Sequence, residues 1–202
     1  MPRIRAASIG EHKELTRAQV LEEAERLFGE YGYEQVSLGD VAGAVGIGRT
    51  TLYDYFRDKE DLLATLVEEI LPATIERMVR ELPERLSWRD RLAALSVAMV
   101  DFVATDPTLG LILHREVAKL STEAQDRVGR AHRGLSTEFV TIYQGGVEAG
   151  ELKALPYDLV GRFLQDLIMS AAKALIDSPD PGVRRQEVTD AMVSVLLSGM
   201  GT

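Results

Sequence analysis

The groups in this 202-residue chain that could do chemistry are three histidines, many carboxylates and one stretch mixing glycines, hydroxyls and aromatics. That stretch, residues 45–63, reads "VGIGRTTLYDYFRDKEDLL". Its "GIGRTT" suggests a phosphate-cradling loop. It lacks the spacing of G-x-G-x-x-G and the lysine of G-x-x-x-x-G-K-[ST], and no strand-like run precedes it. His12, His114 and His132 form no H-x-x-x-H or H-E-x-x-H pattern, so no metal is assigned. His114 and His132 lie on helices that could face one another, which leaves a sensor of a metal or an acidic ligand as a minor alternative. There is no cysteine nucleophile and no G-x-S-x-G elbow, and the carboxylates are spread over solvated faces. The expectation is a non-enzyme without a cofactor.

Composition sets the class. Hydrophobic residues are 46% and charged residues 27%, which is enough to bury a core and unlike a disordered chain. The start "MPRIRAASIGEHKELT" has no apolar leader segment, and no run is long and apolar enough to span a membrane. With no cysteine, the chain suits the reducing cytoplasm. Its net charge of −9 opposes indiscriminate binding to polyanions. Residues 1–60 carry eight basic and eleven acidic side chains, so any DNA-binding face must be local.

Hydrophobic spacing is helical nearly throughout, predicting an all-α fold of about nine helices. Thr16–Gln19, "TRAQ", reads as a capping box that opens a first helix ending at Gly32. Ser37 caps a short second helix with Leu38, Val41, Ala42 and Val45 on one face, and Gly46 stops it. A third runs from about Arg49 to Tyr55, and Asp58 caps a fourth that Pro72 kinks or interrupts. Ser87 with Asp90 opens a fifth, ended by Asp106-Pro107. Helices over about 108–119 and 122–149 follow, then one after Pro156 and one after Pro181.

Short helix, glycine turn, short helix is a helix-turn-helix, whose second helix enters the DNA major groove. Arg49, Thr50 and Thr51 then meet base edges, since arginine forks onto guanine and threonine offers a hydroxyl and a methyl. Ser37, Tyr53, Tyr55 and Lys59 are placed at phosphates. Asp54 in the reading helix opposes phosphate, and Gly39 lacks a side chain that could reach DNA. Arg3 and Arg5 could form a minor-groove arm.

Residues 16–63 resemble the N-terminal domain of the TetR family of bacterial transcriptional regulators. The matching elements are L-F-x-x-x-G-Y at Leu27–Tyr33, V-A-x-x-x-G-I at Val41–Ile47 and T-L-Y-x-Y-F-x-x-K-E-x-L at Thr51–Leu62. The last is the specific one. Farther on, "GGVEAGELKALP" looks like the end of that family's seventh helix. The resemblance implies a homodimeric repressor on a palindromic double-stranded DNA operator, released by a small-molecule effector. It also implies backbone contacts from the cap of the second helix, Tyr53 and Lys59, and base reading by Arg49, Thr50 and Thr51.

On this reading residues 1–57 form the DNA-binding domain and 58–202 the ligand-binding and dimerisation domain. Met99, Phe102, Leu113, His114, Phe139, Tyr143, Phe163 and Met169 lie on helices that converge, and could line an apolar effector cavity. The helix after Pro156 is apolar on more than one face, so it needs two covers. Leu159, Phe163, Leu167 and Leu175 are assigned to the chain's own core. Ile168, Ala171, Ala172 and Ile176, with Met192 and Val195 of the last helix, are assigned to a second copy. Gly145-Gly146 inside a long helix suggests close packing, backbone exposure in a cavity or a weak point. The alternative function keeps the fold but not the DNA role: a small-molecule- or protein-binding dimer with a degenerate reading head.

Overall fold

The computed structural model describes residues 9–105, 110 and 116–202. Eight α-helices are present among them: α1 Ile9–Tyr31, α2 Leu38–Val45, α3 Arg49–Tyr53, α4 Lys59–Glu81, α5 Trp88–Thr105, α6 Thr122–Glu148, α7 Tyr157–Ile176 and α8 Pro181–Met200. Most of the helix expected over 108–119 lies outside the described residues, and its end is a 3₁₀ turn at Val117–Lys119. No strand occurs among the described residues; an isolated bridge pairs Leu152 with Gly201.

The N-terminal turns follow the local chemistry. Gly32, at φ 84°, ends α1, and Gly46, at φ 77°, ends α2 in the left-handed region that a side chain would strain. Ser37 and Asp40 form a reciprocal capping box, with Asp40 N–H donating to Ser37 Oγ at 3.3 Å and Ser37 N–H to Asp40 Oδ2 at 2.8 Å. Asp58 caps α4 by accepting from Asp61 N–H at 2.8 Å, and Ser87 caps α5 by accepting from Asp90 N–H at 3.0 Å.

Three boundaries differ from the sequence reading. α1 is already helical at Ile9, and Thr16 is an interior residue whose buried hydroxyl donates to His12 O at 2.9 Å. A threonine inside a helix can satisfy its hydroxyl on the preceding turn, so "TRAQ" mimics a cap without being one. α3 ends at Tyr53, two residues early. α4 runs on through Pro72, held by the buried Leu71, Ile75 and Met78.

α5 is central, packing on α6, α7 and α8, while α4 lies chiefly along α6 and touches α1. One continuous core runs from Val20, Phe28 and Leu52 in the head to Leu95, Ile142 and Ala172 in the bundle. The Gly145-Gly146 pair is where α6 meets the start of α5. A Cβ on Gly145 would lie 2.7 Å from the Trp88 ring, and one on Gly146 would lie 2.5 Å from Leu152. Of the three readings of that pair, close packing is the one observed.

Gly145→Ala or Gly146→Ala should therefore destabilise the fold by about 1–3 kcal/mol through overpacking. Gly43→Ala in α2, where a Cβ meets nothing within 4 Å, should add about 0.5–1 kcal/mol. Urea titration of the three variants checks both signs.

Candidate DNA-reading head and effector cavity

α2, the Gly46 turn and α3 pack on α1 through Val41, Ala42, Leu52 and Phe56, all buried. That packing leaves Arg49, Thr50, Thr51, Tyr53 and Asp54 exposed on the outer side of α3. The α3 N-cap is Gly48, without a side-chain cap, so the first-turn N–H groups are left for water or a phosphate oxygen. Arg49 lies along its own helix, with Nη2 3.5 Å from Tyr53 OH and the guanidinium 6.0 Å from the Tyr53 ring centroid. The exposed side chains assigned to base edges thus share one surface.

The phosphate-facing set is less free than its sequence suggests. The Ser37 hydroxyl donates to Asp40 Oδ2 at 2.6 Å. That bond and the Ser37 N–H hold the Asp40 carboxyl below the usual range. Lys59 donates to Tyr33 O at 2.9 Å and Glu34 O at 3.3 Å, with its ammonium 4.3 Å from the Tyr33 ring centroid. It ties the α1–α2 connection to the start of α4, and one of its three N–H groups remains for a phosphate. Tyr55 is half-buried, with the Lys13 ammonium 5.7 Å from its ring centroid. Lys13 went unnoticed in the sequence because it precedes the assumed helix start. Arg3 and Arg5 lie outside the described residues.

In the bundle, a cavity of about 400 Å³ opens between α5, α6 and α7. Met99, Phe102, Phe139, Tyr143 and Met169 line it. Leu113 and His114 lie outside the described residues. Phe163 is 61% exposed on the opposite side of α7 and is not part of the cavity. Its mouth is marked by lining positions that are also exposed: Gly129, Ser136 and Val140 on α6, and Gly161 and Gln165 on α7.

The assignment of α7 faces holds in part: Leu175 is buried in the protomer's core as assigned, and Leu167 is half-buried. Ile168, Ala171, Ala172 and Met192 are buried inside the protomer, facing the cavity, α5 and α8, and cannot meet a second chain. Leu159 and Phe163, assigned to the core, are exposed instead, whereas Val195, assigned to a second copy, is exposed in keeping with that assignment. Ile176 is half-buried. With apolar residues around most of α7, periodicity could not say which sector faced inward.

Between head and cavity stands an ion-pair cluster that no motif signals. Arg127 of α6 donates to Asp61 at 2.5 Å, to Glu68 at 2.6 Å and to Thr65 Oγ1 at 2.8 Å. Its three partners form one stripe of α4, and all four residues are at least half-buried. Although burial pushes Asp61 up, the Arg57 N–H and the Arg127 guanidinium bring it below its ordinary value. Around the cluster, Arg57 pairs with Glu123 at 2.6 Å, Glu60 accepts from Ser121 N–H at 2.9 Å and Lys119 pairs with Glu34 at 3.0 Å. No group of three or more potential metal-ligating side chains is present among the described residues.

Residues 20–66 match the description "Bacterial regulatory proteins, tetR family", and residues 85–200 match "Tetracyclin repressor-like, C-terminal domain". The chain belongs to the TetR family. This TetR-family protein is 27% identical over 135 residues to the fatty acid metabolism regulator protein of Bacillus subtilis, spanning 67% of this chain and 70% of that one. It is 24% identical over 186 residues to the transcriptional repressor KstR2 of Mycolicibacterium smegmatis, spanning 91% and 90%. Its fold matches that of FadR from Bacillus subtilis, solved in complex with stearoyl-CoA, with a TM-score of 0.72 at 24% identity over 88% and 97% of the chains. It is a TetR-family regulatory protein with a helix-turn-helix head.

Arg127→Ala should cost roughly 2 kcal/mol, between the 0–1 of a surface pair and the 3–5 of a buried one, because Asp61 and Glu68 lose their counter-ion. Arg57→Ala, breaking the exposed pair with Glu123, should cost under about 1 kcal/mol. Chemical denaturation distinguishes the two.

Proposed function

We propose that two copies of this chain bind an inverted-repeat DNA operator in the cytoplasm and leave it when an apolar or amphipathic molecule fills the cavity. The observation that carries this reading is the shared wall. α6 lines the cavity on one side and grips α4 through Arg127 on the other, and α4 begins at the reading head. A ligand that favours one setting of α6 thereby favours one spacing of the two heads. Residues 1–57 serve as head and 58–202 as effector domain. Arg49, Thr50 and Thr51 read bases, while Ser37, Tyr53, Tyr55 and the remaining N–H of Lys59 hold phosphates.

Leu159 and Phe163 of α7 and Val195 of α8 are the exposed apolar side chains suited to the second copy. That FadR was solved with stearoyl-CoA supports an effector with a long apolar part. The reading with a degenerate head has its own support, in the exposed Asp54 and the engagement of Lys59 by Tyr33 and Glu34.

Selection of random-sequence DNA by folded, ligand-stripped protein tests the two readings. Enrichment of an inverted repeat is expected, and its absence would leave the degenerate-head dimer. On the selected operator, Arg49→Ala should lose about 1–3 kcal/mol and relax one base position. Phe163→Glu should yield monomers by sedimentation at micromolar concentration, and an unchanged dimer would remove α7 from the interface.

A further inference from the structure

The cavity lining carries no Lys, Arg, Asp or Glu among the described residues. Its polar side chains are few, and two are already committed. The Tyr143 hydroxyl donates to Lys153 O at 2.6 Å and accepts from Leu155 N–H at 2.8 Å. Gln125 Nε2 donates to Leu120 O at 2.8 Å. Tyr157 and Gln165 stand exposed at the rim. The polar group deeper in is His132, on the same helical stripe as Val128, Leu135 and Phe139. Its Nδ1 lies 3.3 Å from Ser136 Oγ. His132 lines the cavity, and no hydrogen bond joins its Nε2 to another described residue.

We infer that the cavity takes an uncharged apolar molecule, or the uncharged part of a larger one, whose single hydrogen-bonding oxygen meets His132. This deepens the effector reading and rests on it. The oxygen is the carbonyl of an ester, thioester or ketone, or a hydroxyl. A neutral imidazole offers one donor and one acceptor, and the Ser136 bond orients the ring. Burial lowers the readiness of His132 to take a proton, so it serves as a hydrogen-bonding group and not as a counter-ion. A carboxylate seated there would lose water and gain no cation from the described lining, so it stays at the mouth or takes up a proton. At about 30 Å³ per water-sized unit, the cavity holds roughly a dozen non-hydrogen atoms.

Calorimetric titration of the full chain at neutral pH with decane, 1-decanol, methyl decanoate and decanoate tests this without DNA. The alcohol or the ester should bind at least about tenfold tighter than decanoate, and tight binding of the ester, which can only accept, assigns the imidazole as donor. His132→Leu should remove most of the preference for the oxygenated ligand over decane, a loss of roughly three- to tenfold. His132→Gln should retain part of it, and thermal melts of both variants verify folding. Decanoate binding as tightly as the neutral ligands, or a preference untouched in folded His132→Leu, would overturn the inference and leave the effector reading standing. Failure of all four to bind would overturn both.

Discussion

One guanidinium ties the cavity wall to the helix that follows the reading head. Arg127 reaches from α6 to three partners on a single stripe of α4, at the depth where a charge left alone is costly. The same α6 turns place Gln125, Val128, Gly129 and His132 on the cavity. A helix cannot rotate or slide on one of these faces without carrying the other. Since α4 opens two residues past the Arg57 bend and close to α3, the position of the reading helix is tied to the cavity wall through rigid elements. The flanking pairs, Arg57–Glu123 and Lys119–Glu34, are exposed and contribute orientation more than stability.

The second constraint is electrostatic. A chain at −9 must approach a polyanion with a face whose negative charges are occupied or turned aside. Near the head, Asp58 and Asp61 cap or anchor α4, Asp40 is bound to Ser37, and Glu34 and Glu123 are neutralised by Lys119 and Arg57. These bonds stabilise helix ends and reduce repulsion at the same time. Asp54, by contrast, stands exposed at the end of α3. It opposes phosphate unless it meets a cytosine amine in the groove.

How far the sequence was legible follows from what each signal encodes. The turn glycines, the Ser37 and Asp58 caps and the helix-turn-helix register are local, set by φ and by the nearest N–H groups, and they could be read residue by residue. The cavity residues Met99, Phe102, Phe139, Tyr143 and Met169 were legible because helical spacing marks which positions share a face. The Arg127 cluster was not, since an arginine and three α4 side chains roughly sixty residues away share no spacing rule. Thr16 misled because a hydroxyl before "RAQ" can satisfy itself on the preceding turn as readily as cap a new one.

The mixed outcome on α7 follows from the same physics. Sequence records that a side chain is apolar, and burial of that side chain lowers free energy equally well against the same chain or another. α7 carries apolar residues on both sides, so its hydrophobicity alone leaves two phases nearly equivalent. Ala171 and Ala172 are small enough for the close approach of neighbouring helices within the protomer, where both are buried. Leu159 and Phe163 project outward. Leu164, Ile168 and Leu175 are buried beside the two alanines, so size alone does not sort the helix, and the small residues set how tightly α7 is held against α5 and α8. A change at Ala172, fully buried, would thus act on the packing of the protomer, whereas Phe163 offers its ring to solvent.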